Sequence, residues 1–391
     1  MPANDERLFT PRFFLMCGFT FTVFLSAFQL LPTAPFRILS LGGSELVAGL
    51  FLGFLTYASA FSAPFTGSLA DRLGKRRILI VSSVAIAAFS AAYAFIASVP
   101  LMLSLVAAHG IFWSGLLTAS GAYLADIIPA HRRGEGIGYY GLSTLLAIAT
   151  APSIGLYLYQ FGWDVVCFSA AALNVAMAVI ASRLPESPHG HAPEGALFGA
   201  HLLEWRVAAL SFTLFLYSFG YGGVTSFVAL YASGNRVTPG LYFTVFAVTT
   251  MCTRPISGPL GDRIGHVRVL IPCLALIAVG YALLAVSGTR PWMIASAVVF
   301  GLGFGSAYPV YTAYVLQHVD TRRRGAAFGG ILAAFDTGIG TGSIIMGWLI
   351  HRVGFNAAYA AAACLAAFSI PYFLFSGRRL LWTTSISEGP A

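Results

Sequence analysis

Asp336 is an acidic residue in the middle of an apolar segment, and its carboxyl group could do chemistry there. It lies within the apolar stretch 328–351, and no other acid of this sequence lies so deep in an apolar segment. Counted from Arg324 at a rise of 1.5 Å per residue, it lies about 18 Å along a helix, near mid-bilayer. A carboxylate there costs several kcal/mol unless it is protonated or paired. Asp336 could therefore carry a proton or bind a cationic group, or it could be a neutral or ion-paired structural acid.

Two other side chains could hold a charge inside apolar stretches, Arg254 and His109. Arg254 could pair with a membrane acid or bind an anionic solute, or its long stem could reach the membrane surface. Histidine titrates near neutral pH, so His109 could couple proton movement. It shares a helix face with Trp113, four residues on. The alternative is a histidine that packs between helices and bonds to a backbone carbonyl.

These side chains lie in segments of about 20 mainly apolar residues, the length that a membrane-spanning helix needs. Hydrophobic residues make up 58% of the 391 residues and charged residues only 9%, against about 25% charged in a soluble domain. The composition excludes a soluble globular protein and predicts an all-α membrane protein. The predicted spans are 13–33, 46–66, 78–97, 103–127, 138–161 and 165–183, then 206–231, 240–260, 269–288, 292–316, 328–351 and 357–376.

The two halves of the chain repeat one another. Residues 67–74 read Gly-Ser-Leu-Ala-Asp-Arg-Leu-Gly and residues 258–265 read Gly-Pro-Leu-Gly-Asp-Arg-Ile-Gly, so Asp71 corresponds to Asp262. Duplicated membrane bundles of this length are mostly solute transporters. The predicted domains are an N-terminal six-helix half over 1–183, a linker over 184–205, and a C-terminal six-helix half with a short tail over 206–391.

The basic residues indicate how the chain lies in its membrane. Loops on the side of the two Asp-Arg turns hold most of the arginines, and those on the opposite side carry only Arg37, Arg236, Arg290 and Arg352. Basic loops remain in the cytoplasm. We therefore expect a multi-pass protein of the cell membrane (inner or plasma) with both termini, both turns and the linker in the cytoplasm.

The Gly67–Gly74 motif, followed by Lys75-Arg76 after the second predicted helix, resembles the major facilitator superfamily. The resemblance covers nearly the whole chain and implies twelve transmembrane helices in two pseudo-symmetric six-helix halves. Three stretches more narrowly resemble bacterial efflux-type permeases, whose members have been linked to export of drugs, sugars or opine-type metallophores. These are His109-Gly-Ile-Phe-Trp113, Arg132-Arg-Gly-Glu-Gly-Ile-Gly-Tyr-Tyr-Gly141 and Phe335-Asp-Thr-Gly-Ile-Gly340.

Two stretches bear on coupling within that resemblance. Many family members carry an arginine in the fourth helix that is tied to proton coupling, but here the stretch reads Val106-Ala-Ala-His-Gly110. Any coupling must therefore use other groups, with Asp336, His109 and Arg254 as the candidates. Ala151-Pro-Ser-Ile-Gly155 resembles an element of antiporter members, which favours export.

The resemblance also implies a gate at the repeated turns. In the family the first turn's aspartate binds the start of the eleventh helix, here near Gly325, and by symmetry Asp262 would reach the start of the fifth helix. Helix amino-termini attract carboxylates. The alternative is ordinary cytoplasmic charge in a short loop. The gating candidates are Gly67, Asp71, Arg72, Gly74, Gly258, Asp262 and Arg263.

Helices one, four, seven and ten line the solute cavity in the family, so polar and aromatic residues on them are candidate solute contacts. Tyrosines and tryptophan offer stacking faces and polar groups to an amphipathic ligand. Packing against lipid or neighbouring helices is the alternative. The candidates are Gln29, Trp113, Tyr217, Tyr221, Tyr308 and Tyr311.

The function expected from these patterns is a secondary active transporter. It would export a small organic solute, amphipathic and neutral or weakly charged, by alternating access and in exchange for protons. A proton-coupled importer or a uniporter is the alternative within this class, and a non-transporting membrane receptor is the alternative outside it. Because no Walker loop, Gly-x-Ser-x-Gly or His-Glu-x-x-His motif is present, we expect no enzyme. We also expect no cofactor or metal, no nucleic-acid partner, and a monomer in the lipid bilayer.

Overall fold

The computed structural model describes residues 8–129, 132–186, 205–286, 288–319 and 324–384. That part of the chain forms thirteen α-helices and contains no strand. The first seven are α1 (Pro11–Leu30), α2 (Ala34–Ser40), α3 (Glu45–Leu73), α4 (Lys75–Phe95), α5 (Val99–Ile127), α6 (Arg133–Tyr159) and α7 (Trp163–Arg183). The other six are α8 (Trp205–Gly234), α9 (Gly240–Ile264), α10 (His266–Val286), α11 (Arg290–Gln317), α12 (Arg324–Val353) and α13 (Phe355–Thr384).

Each predicted span corresponds to one long helix, and the bounds differ by a few residues. Within the described residues, eleven stretches are long and apolar enough to cross a membrane, and the first of them, Pro11–Ser40, combines α1 with α2. The twelfth long helix, α9, has 25 residues and carries Arg254. The fold is therefore all-α, with twelve transmembrane helices in two halves.

The predicted linker and tail lie largely outside the described residues, which omit 187–204 and 385–391. The first apolar stretch extends beyond the predicted span 13–33, because α2 follows α1 after a short break. Pro35 occupies the first turn of α2, where its missing N–H group is tolerated. Thr33 in the break donates its hydroxyl to the carbonyl of Gln29 at 2.7 Å.

Matching glycines end the two repeated octets. Gly74 separates α3 from α4 with a φ of 97°, and Gly265 follows α9 with a φ of 95°. Side chains disfavour this left-handed region, so glycine is the residue that permits both sharp turns. The duplication in sequence is thus repeated in backbone conformation.

The chain divides into two compact units. Unit 1 consists of Met1–Gly43 and Phe54–Leu197, and unit 2 of Ser44–Gly53 and Phe198–Ala391. In unit 1, α1 packs against α6 and α7, and α4 packs against α5 and α7. In unit 2, α8 packs against α12 and α13, while α11 packs against α9 and α10.

The assignment of Ser44–Gly53 to unit 2 has a local cause, because this segment packs tightly on α12. Ser343 donates its hydroxyl to the Gly49 carbonyl at 3.0 Å. A Cβ atom on Gly49 would lie 2.3 Å from the Ser343 carbonyl oxygen, so only glycine allows this approach. At the end of α12, His351 Nδ1 lies 2.8 Å from Glu45 Oε2.

Large apolar side chains lie on both the inside and the outside of the helices. Phe13, Phe19 and Met177 are fully buried in the core of unit 1. In contrast, Phe61 and Phe95 are 77% and 79% exposed. A soluble protein rarely exposes so much apolar surface, whereas lipid is a suitable solvent for it.

Candidate functional site

Four predicted site residues from different helices of unit 2 come together. The Tyr308 hydroxyl of α11 interacts electrostatically with both Asp336 of α12 and Arg254 of α9. Tyr217 of α8 in turn interacts with Tyr308 and Arg254. We call these four residues the unit 2 cluster. Two of them were predicted for proton coupling and two for solute contact, and the structure places both sets at one site.

Asp336 lies near the middle of the 30-residue helix α12. Its side chain is partly exposed, and its carboxylate makes no hydrogen bond or ion pair with any residue that the structure describes. Arg254 is also partly exposed. Its guanidinium group likewise makes no hydrogen bond or ion pair with any described residue. Unpaired charges at this depth are expensive and mark functional sites. Both groups are therefore available to a solute, to water or, at Asp336, to a proton.

Aromatic rings form an apolar wall beside these charges. The Phe335 ring centroid lies 5.0 Å from that of Tyr308 and 6.3 Å from that of Tyr217. Phe304 lies 5.9 Å from Tyr217 and 4.3 Å from Tyr221. A charged group next to aromatic faces suits an amphipathic ligand.

The Tyr217 side chain has an unsatisfied polar atom. It is fully buried, yet its hydroxyl has no hydrogen-bond partner among the described residues. Thr213, one turn earlier on α8, has a buried hydroxyl in the same condition. Buried polar groups are nearly always hydrogen-bonded. An unpaired hydroxyl beside Arg254 and Tyr308 therefore points to a partner that the protein itself does not supply.

The two other predicted tyrosines make packing contacts. The Tyr311 hydroxyl donates to Ser211 Oγ at 3.2 Å and so joins α11 to α8. Tyr221 lies among the rings of Phe246, Phe300 and Phe304. Their contact with a solute stays a prediction.

Gln29, the predicted solute contact in unit 1, belongs to a hydrogen-bonded interior. It is buried, and its Oε1 atom accepts a hydrogen bond from Ser169 at 3.0 Å. Its backbone adjoins Gly155, where a Cβ atom would lie 2.5 Å from the Gln29 carbonyl oxygen. Gly155 of the antiporter-like stretch therefore permits close packing of α6 on α1.

His109 and Trp113 have separate surroundings in unit 1. His109 is 5% exposed, and its Nδ1 atom lies 3.1 Å from the Tyr93 hydroxyl. The indole of Trp163 donates to the Tyr93 carbonyl at 2.9 Å. Trp113 instead meets Phe24 edge to face, with 5.7 Å between ring centroids. These contacts match the packing alternative for His109, with a tyrosine hydroxyl in place of a carbonyl, and its role in coupling stays a prediction.

The predicted gating residues lie at the repeated turns. Asp71 and Arg72 are exposed at the end of α3, after Gly67 and before Gly74. Asp262 lies 3.4 Å from His266 and is 72% exposed, and Gly258 and Arg263 lie on the same helix, α9. Residues 130–131 and 320–323, next to the predicted partners, lie outside the described residues. The latches stay a prediction.

The turn of unit 1 has contacts that sequence reasoning missed. Lys75 Nζ binds Asp126 Oδ2 at 2.5 Å and joins α4 to α5. Arg76 donates to the Ser182 carbonyl at 2.6 Å and joins α4 to α7. These basic residues are therefore structural as well as cytoplasmic markers. Nothing in their spacing along the sequence signals the partners.

Comparison with known proteins settles the family. The profile of the Major Facilitator Superfamily matches residues 15–238 and, a second time, residues 210–389. The chain belongs to the Major Facilitator Superfamily. The second match overlaps the first over residues 210–238 and covers the C-terminal part of the chain.

Individual relatives of this superfamily member are distant but cover most of the chain. An uncharacterized MFS-type transporter of Methanocaldococcus jannaschii is 24% identical over 357 residues, which are 88% of this chain and 92% of the relative. The multi-drug resistance efflux pump PmrA of Streptococcus pneumoniae is 24% identical over 368 residues, 90% of this chain and 92% of the relative. Among solved structures, a mutant of the nucleoside transporter NupG has a TM-score of 0.79 at 14% identity, covering 93% of this chain and 99% of that one.

Membership fixes the general activity. The protein is a multi-pass membrane transporter of small solutes, and it is not an enzyme. The similar proteins differ in what their names say they move, drugs in one case and nucleosides in another. The comparisons therefore establish neither the solute nor the direction of transport.

Proposed function

We propose that this protein exports a small amphipathic organic solute, neutral or weakly charged, in exchange for protons that enter the cell. It would work by alternating access in the cell membrane, with both termini in the cytoplasm. Export is supported by the similarity to PmrA, which is named as an efflux pump. Proton exchange is supported by Asp336.

The unpaired carboxylate of Asp336 carries this proposal. In a low-dielectric interior, one unit of charge changes the energy of a site by several kcal/mol. Ionised Asp336 can hold a cationic group of a solute, and protonated Asp336 cannot. The proton and the solute therefore exclude one another at the same group, which is the property that exchange requires.

Arg254 and Tyr308 support this cycle. Arg254 keeps its positive charge throughout the cycle and can hold an anionic group of the solute. The Tyr308 hydroxyl can donate to the carboxylate or accept from a bound solute. When the site is open to the outside, a new proton neutralises Asp336 and the solute is released. The absence of a nucleotide-binding motif in the sequence makes an ion gradient the natural energy source.

Everted membrane vesicles from cells that overproduce the protein test this proposal. An imposed gradient, acidic inside, is followed with acridine orange while a panel of amphipathic drugs and metabolites is added. We expect some solutes to release protons from wild-type vesicles, Asp336→Glu to retain part of this release, and Asp336→Asn to abolish it. Asp164→Asn removes an exposed acid at the start of α7 and should behave as wild type.

Two outcomes would contradict the proposal. Undiminished proton release by Asp336→Asn would exclude Asp336 as the proton carrier. Solute movement in the same direction as the protons would instead identify an importer.

A further inference from the structure

The unit 2 cluster also indicates the charge class of the solute. We propose that the transported solute is a small zwitterion, whose cationic group binds Asp336 and whose anionic group binds Arg254. This inference rests on the proposed function, because it assigns a ligand to the same site. It narrows a neutral or weakly charged solute to one that carries both charges.

Charge balance is the first argument. Asp336 and Arg254 form an ion pair neither with each other nor with another described residue. A charged group in a membrane interior is stabilised by a counter-charge. A purely cationic solute would satisfy Asp336 and leave Arg254 without a partner, and a purely anionic one would do the reverse. A zwitterion satisfies both groups and leaves the occupied site neutral.

The position of Tyr308 is the second argument. Its hydroxyl interacts electrostatically with both Asp336 and Arg254. Both charges therefore lie within electrostatic range of one hydroxyl. A small molecule bound at Tyr308 can therefore contact both Asp336 and Arg254. The hydroxyl can donate to a carboxylate and accept from an ammonium group, so it fits either end of the ligand.

The uncharged part of the site supplies the third argument. Phe304 and Phe335 offer apolar faces next to the charges. The buried hydroxyl of Tyr217 lacks a partner among the described residues, and it needs one. The ligand that fits has an apolar, preferably aromatic body and at least one hydrogen-bonding group besides its two charges, or a charged group large enough to reach Tyr217 as well as Arg254.

Competition with the proton follows from the same arrangement. Protonation of Asp336 removes the anchor of the cationic group, while Arg254 remains charged because guanidinium does not lose its proton in proteins. The zwitterion then loses one of two charged contacts and dissociates more readily. Arg254 would thus determine which solutes bind, and Asp336 would determine when they leave.

Four compounds that share one phenyl body test the charge class. They are phenylalanine with both charges, phenethylamine with the cation only, 3-phenylpropionate with the anion only, and 3-phenylpropanol with neither. Binding to the purified full chain is measured by the shift in thermal unfolding, since a ligand of the folded state raises apparent stability. We expect phenylalanine to bind at least about tenfold more tightly than the other three, because a hydrogen bond to a charged group contributes about 1.5–3 kcal/mol.

Variants of the two charges give the sharper result. Arg254→Gln should bind phenethylamine as tightly as phenylalanine, and Asp336→Asn should bind 3-phenylpropionate as tightly as phenylalanine. Arg268→Gln removes an exposed arginine of α10 and should keep the wild-type preference. These opposite changes in preference would not follow from a general loss of folding, which would weaken all four compounds together.

Three results would overturn the inference. They are the absence of any shift with phenylalanine, equal binding of phenethylamine and phenylalanine by the wild type, and an unchanged preference in Arg254→Gln. The vesicle assay separates this failure from that of the proposed function. If only cationic solutes drove proton exchange, the solute would not be a zwitterion, but the proposed proton antiport would stand. If phenylalanine bound selectively but moved no protons, the zwitterionic solute would stand and the proposed proton antiport would be wrong.

Discussion

Asn174 in unit 1 donates its amide hydrogens to Ser26 at 2.7 Å, Ser90 at 3.3 Å and the Ala170 carbonyl at 2.8 Å. Asp336 in unit 2 has no hydrogen bond to a described residue. The same contrast holds between Gln29, which is bonded to Ser169, and Tyr217, whose hydroxyl lacks a described partner. Polar groups such as Asn174 and Gln29 connect the helices of unit 1, whereas Asp336, Arg254 and the Tyr217 hydroxyl of the unit 2 cluster have no hydrogen-bond partner among the described residues.

This difference is located where the two halves differ in sequence. In the repeat, Asp336 corresponds to Leu145, Arg254 to Ala63, and His109 to Phe300. The shared positions, such as Gly74 and Gly265, define turns and helix contacts. The repeat therefore accounts for the turns and helix contacts, whereas Asp336 and Arg254 have no charged counterpart in the other half. Four substitutions test that division, in order of the size of the expected effect.

The largest effect is expected at Asp336. Replacement by Asn should abolish solute-driven proton movement, a loss of at least about a hundredfold, because the group that takes up the proton is removed. The same change should leave the melting temperature unchanged or raise it, since a charge without a partner among the described residues is removed from the membrane interior. Initial rates in vesicles and thermal unfolding of the purified protein measure the two quantities. A large loss of stability would show that Asp336 is a structural acid.

Gly155→Leu should be the most destabilising change in unit 1. The added side chain would overlap the Gln29 backbone, and overpacking of this kind costs about 1–3 kcal/mol. Gly121→Leu is the matched control on α5, since a Cβ atom there has nothing within 4 Å. Thermal unfolding compares the two variants. Equal stability of both would mean that α6 does not approach α1 as closely as the structure shows.

Asn174→Leu should destabilise unit 1 by about 1–2 kcal/mol, because Ser26 and Ser90 lose a partner in a membrane interior. The folded fraction should still exchange protons at the wild-type rate. Thermal unfolding and vesicle rates per folded molecule test both statements. Asn356→Leu removes an exposed amide of α13 that bonds to Tyr231 and to the Ala285 carbonyl, and it measures what the loss of an amide costs in unit 2. If Asn174→Leu protein were stable but did not exchange protons, polar groups of unit 1 would have more than a structural role, which would contradict the contrast drawn between the two units.

The smallest effect is expected for His109→Gln. Loss of the contact with Tyr93 should cost less than about 1 kcal/mol, and proton exchange should persist. Tyr93→Phe removes the hydroxyl that His109 contacts. A comparison of the two variants therefore separates the loss of this contact from the loss of the imidazole. If His109→Gln stopped proton exchange while Tyr93→Phe did not, His109 would be a coupling residue, and charge chemistry would extend to unit 1.

The sequence predicts the helices well because long apolar runs have few alternatives. It also identifies Asp336, because a lone acid in such a run is conspicuous. It does not predict Phe304 and Phe335 as the wall of the site, or Tyr93 as the partner of His109. Helices that are apolar all round give no signal for the side that faces a neighbour. The rotation of each helix about its axis decides which tyrosine hydroxyls find a partner. The Tyr311 hydroxyl has one, and the Tyr217 hydroxyl has none among the described residues.

Proton release on ligand binding tests the central claim most directly. Purified protein in weakly buffered detergent solution near neutral pH is mixed with phenylalanine, and the pH is followed. If the solute displaces a proton from Asp336, wild-type and Asp164→Asn protein should release protons on binding, and Asp336→Asn should bind more weakly without release. Equal proton release from wild-type and Asp336→Asn protein would contradict the account.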